Sequence, residues 1–224
     1  MAKNIQIAID GPAGAGKSTI AKIVAEKLGY TYIDTGAMYR AVTYKALRTG
    51  IQLENAEALE TMLRATDIRL QPSNEGQLVF LDGGDVSSPI RSNEVTANVS
   101  QVAAHANIRA ILVAMQQALA AQGAVVMDGR DIATHVLPEA ELKIFMSASV
   151  EERARRRQID NEKRGIPSTF KSLVEEIALR DKKDSEREAS PLIQAEDALL
   201  LDTTELSIDE AAEAILRLAQ EKMA

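Results

Sequence analysis

The sequence predicts an α/β fold built on a doubly wound parallel sheet of five strands. Short apolar runs alternate with amphipathic stretches, the pattern of a parallel sheet covered by helices on both faces. Each run ends at a polar or small residue, and ligands bind beyond the carboxyl ends of strands in open α/β sheets. The predicted strands are Ile5–Ile9, Thr31–Ile33, Ala124–Met127, Leu142–Met146 and Ala198–Leu201.

The composition is that of one globular domain. The chain has 224 residues, 46% of them hydrophobic, and a net charge of −7, which argues against a binder of nucleic acid or of membrane surfaces. It contains no cysteine, so disulfides and cysteine-ligated zinc are excluded. Because the N-terminal residues lack a charged-then-apolar pattern and no run approaches about 20 apolar residues, we expect neither a signal peptide nor a membrane span. We expect a cytoplasmic monomer that acts on small molecules and binds neither nucleic acid nor membrane.

The first predicted strand leads into a loop of the pattern G-x-x-x-x-G-K-[ST], formed by Gly11-Pro12-Ala13-Gly14-Ala15-Gly16-Lys17-Ser18. Apolar residues then recur at helical spacing until Gly29. In this context the backbone N–H groups of the loop and the helix N-terminus surround phosphate oxygens. Lys17 is expected to reach the β- and γ-phosphates and Ser18 to ligate Mg²⁺. A glycine-rich turn that only opens a helix is the alternative, and the flanking patterns favour the phosphate site.

A long excursion separates the second predicted strand from the third. Helical patterns at 37–47 and 56–63 are followed by short strands at 68–71, 78–81 and 85–86, with turns at Pro72-Ser73-Asn74-Glu75-Gly76 and Asp82-Gly83-Gly84. Helices at about 93–104 and 108–122 return the chain to the sheet. We interpret about 61–107 as an inserted, substrate-binding subdomain in a core of about 1–60 and 108–224.

A basic segment follows the fourth predicted strand. Residues 153–187 hold seven Arg and four Lys against three Asp and four Glu. A capping box at Ser149–Glu152 predicts a helix that presents Arg153, Arg156 and Arg157 over an arc of about 100°. Gly165–Ser168 breaks this helix, so about 153–168 is a candidate helical lid; an ordinary solvated face is the alternative. A helix from about Thr169 and another capping box, at Ser207–Glu210, follow.

Single arginines near strand ends point to a second phosphate group. Arg40 follows Asp34-Thr35-Gly36, and Arg130 lies in Asp128-Gly129-Arg130-Asp131. Two phosphate-bearing substrates repel each other, and bidentate arginines overcome that repulsion. The guanine-reading motif N-K-x-D does not occur, which disfavours a GTPase. A loop salt bridge is the alternative for each arginine.

Arg180, Asp184 and Arg187 share one face if their segment is helical, because they lie within about 60° of each other. An ordinary charge ladder along the helix and a contact to a ribose and its phosphate both fit this spacing. The spacing leaves the two interpretations open.

These motifs together resemble the bacterial cytidylate kinases over nearly the whole chain. The resemblance is carried by Gly11–Ser18, Asp34-Thr35-Gly36-Ala37-Met38-Tyr39-Arg40, Ser100-Gln101-Val102-Ala103-Ala104, Asp128-Gly129-Arg130-Asp131 and Arg180–Arg187, in this order. It implies a P-loop kinase fold with a monophosphate-binding insertion and a lid. It also implies in-line transfer of the γ-phosphoryl group of ATP, with Mg²⁺, to CMP and dCMP.

The resemblance also implies roles for individual residues. Catalytic roles fall to Lys17, Arg130, Arg153 and Arg157. ATP is expected at Gly11, Pro12, Ala13, Gly14, Ala15, Gly16, Lys17, Ser18 and Thr19, and CMP at Thr35, Arg40, Ser100, Arg109, Arg130, Asp131, Arg180, Asp184 and Arg187. Ser18 is the expected Mg²⁺ ligand, with Asp128 acting through water. A kinase for another monophosphate or metabolite, and a nucleotide-dependent switch or assembly factor, are the competing interpretations.

Overall fold

Two β-sheets organise the described part of the chain, which comprises residues 3–73, 76–163 and 165–224 of a computed structural model. The strands are β1 (Gln6–Asp10), β2 (Thr31–Asp34), β3 (Ile68–Ser73), β4 (Gly76–Leu81), β5 (Gly84–Asp85), β6 (Val125–Asp128), β7 (Leu142–Ser147) and β8 (Leu199–Asp202). The larger sheet is parallel, with the order β2-β6-β1-β7-β8. All five predicted parallel strands are confirmed.

Helices cover this sheet and build the connections between its strands. They are α1 (Lys17–Leu28), α2 (Thr35–Thr49), α3 (Ala56–Arg64), α4 (Asn93–Val102), α5 (Ala106–Ala120), α6 (Val150–Lys163), α7 (Phe170–Glu186) and α8 (Ile208–Met223). A 3₁₀ turn spans Pro89–Arg91 and a π-helix spans Ile132–Val136. Within the described residues, no helix is both long enough and apolar enough to cross a membrane.

The alternation of side chains along β1 explains its unbroken apolar sequence. Ile7 and Ile9 belong to a buried cluster that includes residues of α1 and α8. Ala8 belongs to a second cluster, which includes the π-helix and the end of α5. Because successive residues of a strand point to opposite faces, both faces of the sheet are buried, as the doubly wound fold requires.

The inserted part of the chain has its own core and its own small sheet. Strands β3, β4 and β5 pair antiparallel in sequence order, as predicted. The buried cluster around them runs from Ala37 in α2 to Leu112 in α5, so the packed unit is longer than the predicted span of 61–107. Two residues of the predicted first turn, Asn74 and Glu75, lie outside the described residues.

A single glutamine side chain joins the small sheet to the open edge of the large one. Gln77 Nε2 donates to the Tyr32 carbonyl oxygen at 2.8 Å, and Gln77 Oε1 accepts from the N–H of Asp34 at 3.0 Å. The side-chain amide thus satisfies the two backbone groups of β2 that a neighbouring strand would otherwise satisfy. It holds the insertion at the end of β2 where Asp34 and Thr35 lie.

Helices α6 and α7 pack as a pair around Ala154, Leu173 and Ile177. The predicted capping box at the start of α6 is half wrong. The N–H of Glu152 does donate to Ser149 Oγ at 3.2 Å, but the Glu152 carboxylate accepts from Arg156 Nε at 3.0 Å, and the N–H of Ser149 donates to Thr204 Oγ1. The second predicted box, at Ser207 and Glu210, is confirmed.

The glycine at the start of the phosphate loop is required for steric reasons, and its replacement gives a test of the fold. Gly11 has φ +144°, and an added Cβ would lie 2.0 Å from the Met146 carbonyl oxygen on β7.

Gly29, with φ +68°, has nothing within 4 Å of an added Cβ. Gly29→Ala should therefore cost only the left-handed strain, about 1 kcal/mol, which lowers Tm by about 2–4 °C. Gly11→Ala should lower Tm substantially more in the same thermal melt, and equal melts would contradict this account.

Candidate functional site

A cavity of about 610 Å³ opens at the carboxyl ends of β1, β2 and β6. One end is formed by the phosphate loop and the start of α1, and the other by the insertion, the segment after β6 and helix α7. Its wall includes most of the predicted site residues: Ala13, Gly14, Gly16, Lys17, Ser18, Thr19, Thr35, Arg40, Ser100, Arg109, Asp128, Arg130, Asp131, Arg157, Arg180, Asp184 and Arg187.

The phosphate loop has the backbone that its glycines predict. Gly11, Gly14 and Gly16 all have positive φ, and Gly16 directly precedes α1. Lys17 is buried, and its Nζ donates to the Pro12 carbonyl oxygen at 2.8 Å. Burial, together with the charge of Arg130, lowers the pKa of Lys17 to about 7. An ammonium group in this position interacts strongly with an anion, because little water screens it.

Asp128, the last residue of β6, connects the phosphate loop with β2. Its Oδ2 accepts from Ser18 Oγ and its Oδ1 from the Tyr32 hydroxyl, both at 2.8 Å, while its carbonyl oxygen accepts from Thr35 Oγ1. Burial and the charge of Asp34 raise the pKa of Asp128 to about 6. Tyr32 was missed by the sequence analysis, where it is only one residue of a predicted strand.

The Ser18–Asp128 pair fits a hard cation that takes oxygen ligands. Both residues lie in the cavity wall, and Mg²⁺ in nucleotide sites is held by few protein oxygens plus substrate phosphates and water. Over residues 3–73, 76–163 and 165–224, no group of three or more His, Cys, Asp and Glu side chains could hold a metal ion.

Three arginines at the far end of the cavity, Arg40, Arg130 and Arg180, form a cluster of partly buried positive charge. Burial lowers the pKa of Arg180 to about 9, with the charges of Arg130 and Arg40 adding to the effect. The pKa of Arg40 falls to about 10, again through burial first, with contributions from other arginines that include Arg130 and Arg157. Arginines that depress each other's pKa values bind an anion favourably, because the anion relieves their repulsion. This end of the cavity is therefore suited to an anion.

Asp184 organises the arginine cluster. Its Oδ1 accepts from Ser100 Oγ at 3.1 Å and its Oδ2 from Arg130 Nε at 2.9 Å, whereas Arg180 Nε is 3.9 Å from Oδ2. Although burial opposes it, the charges of Arg130 and Arg180 hold the pKa of Asp184 below its usual value. A solvent-exposed charge ladder is wrong for Asp184, which is 3% exposed. Arg187 lies just beyond the end of α7, as its C-cap residue, so it does not continue the helix face of Arg180 and Asp184.

A second buried network lies beside the cluster. Arg109 donates to Asp131 Oδ2 and to the Ala103 carbonyl oxygen, and its guanidinium carbon lies 5.2 Å from the centre of the Tyr39 ring. Arg187 Nη2 is 3.9 Å from Asp131 Oδ1. In the described part of the chain, Arg109 Nε, Arg180 Nε and Arg187 Nη2 are buried without a hydrogen-bond partner. Such donors are suited to ligand oxygens.

The structure holds Arg153 outside the cavity wall, so its position does not support the predicted catalytic role, which stays a prediction. All three of its nitrogens are engaged: Nε donates to the Ala148 carbonyl oxygen, Nη1 to that of Ala13, and Nη2 lies 2.7 Å from Asp181 Oδ2. Arg153 is 4% exposed and ties the phosphate loop to α6 and α7. Helical spacing placed Arg153 on an arc with Arg156 and Arg157, but it could not show that neighbouring backbone would enclose it.

Arg156 and Arg157 do lie in the cavity wall. Arg156 was not assigned a role from the sequence. Its guanidinium bonds the backbone and hydroxyl of Thr203, after β8, and approaches the Ala15 carbonyl oxygen at 3.5 Å. With Thr203, Leu206 and Ser207 it forms the wall on the phosphate-loop side.

Comparison with known proteins gives matches over the full chain. The family model described as cytidylate kinase matches residues 7–221. The chain is 75% identical over 223 residues to a cytidylate kinase of Lysinibacillus sphaericus (strain C3-41), covering 100% of both chains. It is 57% identical over 222 residues to a cytidylate kinase of Bacillus subtilis (strain 168), covering 99% of each. A solved shikimate kinase from Bacteroides thetaiotaomicron is similar in fold, with a TM-score of 0.51 at 16% identity, covering 96% of this chain and 98% of that one.

The position of Asp184 predicts a substrate-specific defect. Asp184→Ala removes the acceptor of Ser100 and Arg130 and leaves buried arginines uncompensated. Losing a shielded, charge-assisted hydrogen bond costs about 1–3 kcal/mol, so the KM for CMP should rise about 5- to 150-fold while the KM for ATP changes little. Saturation curves for both substrates, with a thermal melt, measure this.

Glu186→Ala is the matched control, because Glu186 lies on the same helix in an exposed pair with Lys182 at 4.0 Å. It should leave both KM values unchanged. Parental CMP kinetics in Asp184→Ala would mean that Asp184 only supports the fold.

Proposed function

The chain belongs to the cytidylate kinase family, and we propose that the charged cavity holds ATP at the phosphate loop and CMP at the arginine cluster. The protein is a nucleoside monophosphate kinase that carries out ATP-dependent phosphorylation of CMP. We extend the acceptors to dCMP. The observation that supports this arrangement best is the pairing of two anion sites in one cavity, one at Lys17 and one at Arg40, Arg130 and Arg180.

The donor end is built for a triphosphate. We assign Gly11–Thr19 to ATP, with backbone N–H groups around the phosphates and Lys17 at the β- and γ-phosphates. Next to the phosphate loop, the cavity wall continues over Arg156, Thr203, Leu206 and Ser207. We assign this part of the wall to the adenosine of ATP, because it adjoins the loop that holds the phosphates.

The acceptor end is built for a monophosphate with a polar base. Arg40, Arg130 and Arg180 supply guanidinium forks for the CMP phosphate. Thr35, Ser100, Arg109, Asp131, Asp184 and Arg187 supply donors and acceptors for the cytosine and the pentose. The unpartnered nitrogens of Arg109, Arg180 and Arg187 favour this assignment, because a nucleotide offers oxygens to them.

The reaction needs no protein nucleophile and no general base. A CMP phosphate oxygen attacks the γ-phosphorus of ATP, the new P–O bond forms in line with the bond that breaks, and ADP leaves. Lys17, Arg130 and Arg157 stabilise the negative charge of the transferring group. Mg²⁺, which we assign to Ser18 with Asp128 acting through water, supplies neutralisation of the phosphate charge when bound.

The inserted subdomain and the lid are the segments that would exclude water from the cavity. We propose that residues of about 61–107 close over CMP and that about 153–168 close over ATP, so that water does not replace CMP as the acceptor. The net charge of −7 supports small-molecule substrates rather than nucleic acid. We propose that the protein acts as a monomer in the cytoplasm.

A panel of acceptors tests the substrate. ADP release from ATP should be fastest with CMP and dCMP and much slower with UMP, AMP and GMP, because the buried donors and acceptors discriminate base edges. A coupled assay measures the rates. Preference for another monophosphate would indicate a different small-molecule kinase, and ATP turnover independent of any acceptor would indicate a nucleotide-dependent switch.

Arg130→Lys tests the arginine cluster. Lysine keeps the charge, but its compact ammonium cannot present the planar fork with which a guanidinium bonds a phosphate bidentately. We expect kcat/KM for CMP to fall by at least about tenfold, which is 1.4 kcal/mol, while nucleotide binding at the phosphate loop is retained. Arg155→Lys, at an exposed position of α6 outside the cavity wall, is the control. CMP kinetics equal to the parent in Arg130→Lys would place Arg130 outside the reaction.

A further inference from the structure

The carboxyl group of Asp10 is buried at the centre of the molecule and is used by none of the roles above. Asp10 is the last residue of β1 and is 1% exposed. The next residue, Gly11, opens the phosphate loop. Asp10 does not form part of the cavity wall, although Asp128 at the end of the neighbouring strand β6 does. A buried carboxylate is costly unless it is fully bonded, so its partners indicate its purpose.

Both carboxylate oxygens of Asp10 bind the segment that carries the acceptor residues. Oδ1 accepts from the N–H of Ile132 at 2.9 Å, and Oδ2 accepts from the N–H of Ala133 at 2.8 Å. These are the first two residues of the π-helix, which directly follows Gly129-Arg130-Asp131. Asp10 therefore joins the residue before the phosphate loop to the residues after Arg130 and Asp131.

The charges around Asp10 come from both ends of the cavity. Burial raises its pKa to about 6; the two backbone bonds act against this rise, the charge of Asp131 adds to it, and the charge of Lys17 reduces it. Only a carboxylate offers an acceptor to each of the two N–H groups, because an amide would place its own NH₂ against one of them. Asparagine at this position would thus lose one bond and introduce a repulsion.

The acceptor segment has little freedom to absorb such a change. The N–H of Gly129 donates to the Ile9 carbonyl oxygen at 3.0 Å. A Cβ added to Gly129 would lie 2.6 Å from Ile132 Cδ1 and 2.7 Å from Thr35 Oγ1. With Gly129 enclosed in this way, a shift of Ile132 is passed on to Arg130 and Asp131.

We propose that Asp10 is a positioning residue that sets the distance and angle between the ATP-binding loop and the CMP-binding segment. This inference rests on the proposed function, since it assumes that both substrates occupy the cavity together. Asp10 does not bind either substrate. It fixes the ATP-binding loop and the CMP-binding segment, the two half-sites, relative to each other. Phosphoryl transfer depends on this alignment, because the reacting atoms must approach in line.

The test compares single ligands with a joined one. The ligands are ATP, CMP, and a bisubstrate compound in which adenosine and cytidine are linked through five phosphates. In Asp10→Asn, the affinity for ATP alone should stay within about twofold of the parent, and the affinity for CMP alone should fall by less than the affinity for the joined compound. The affinity for the joined compound and kcat should both fall about tenfold or more, because the second half of a linked ligand binds with an effective concentration set by geometry.

Asp85→Asn is the matched control. Asp85 also accepts a backbone N–H, that of Ser87 at 2.9 Å, but it lies on β5 and outside the cavity wall. All three affinities should equal those of the parent. An unchanged bisubstrate affinity in Asp10→Asn, or an equal loss for CMP alone, would overturn the positioning role. If the parent bound the joined compound no better than ATP, the proposed function itself would fail.

Hydrogen exchange in the parent protein provides a test that does not depend on the variant folding. If Asp10 connects the two half-sites, filling the phosphate loop with ADP alone should slow exchange of the Ile132 and Ala133 amides by at least about twofold. The Ser87 amide, which is bonded to Asp85, should exchange at an unchanged rate. Equal rates at Ile132 and Ala133 with and without ADP would contradict the proposal.

Discussion

Electrostatic repulsion between two phosphate-bearing substrates is the constraint on which the rest of this structure depends. A protein that joins them must collect positive charge in a place that water does not screen. Here that charge is Lys17 at one end and Arg40, Arg130 and Arg180 at the other, and burial lowers the pKa values of Lys17, Arg40 and Arg180. The arrangement is unfavourable for the protein alone and favourable with anions present.

The parallel sheet makes this concentration of charge possible. The carboxyl ends of β1, β2 and β6 lie side by side, so three loops that are far apart in the sequence converge there. Hydrogen bonds from side chains to backbone groups hold these loops in place. Asp10 binds the π-helix, Gln77 binds β2 from the insertion, and Thr35 binds the Asp128 carbonyl oxygen. These side chains bond backbone groups that a neighbouring strand or a helix cap would otherwise satisfy, and so they fix the positions of the charged loops.

The sequence predicted the sheet and the phosphate loop, because each leaves a local signal, and most of the predicted site residues lie in the cavity wall. Apolar runs mark the buried strands, and the spacing of glycines and Lys17 marks the loop. Residues whose roles depend on distant partners left no such signal. Tyr32 appears as one strand residue, yet its hydroxyl orients Asp128. Arg153 shares helical spacing with cavity residues, yet carbonyl groups from two other segments enclose it. Spacing shows which residues share a face but not what covers that face.

The balance of charge at the acceptor end argues that substrate is part of the folded network. Asp184 and Asp131 are the buried carboxylates that pair with Arg109, Arg130, Arg180 and Arg187, so arginines exceed acids there. Three buried guanidinium nitrogens of these side chains have no hydrogen-bond partner in the described part of the chain. On the proposed assignment, a monophosphate with a polar base supplies both the missing charge and the missing acceptors. Binding of the acceptor and completion of the buried network are then one event, and the selectivity of the site follows from it, since a ligand that leaves any of these donors unmatched retains their desolvation cost.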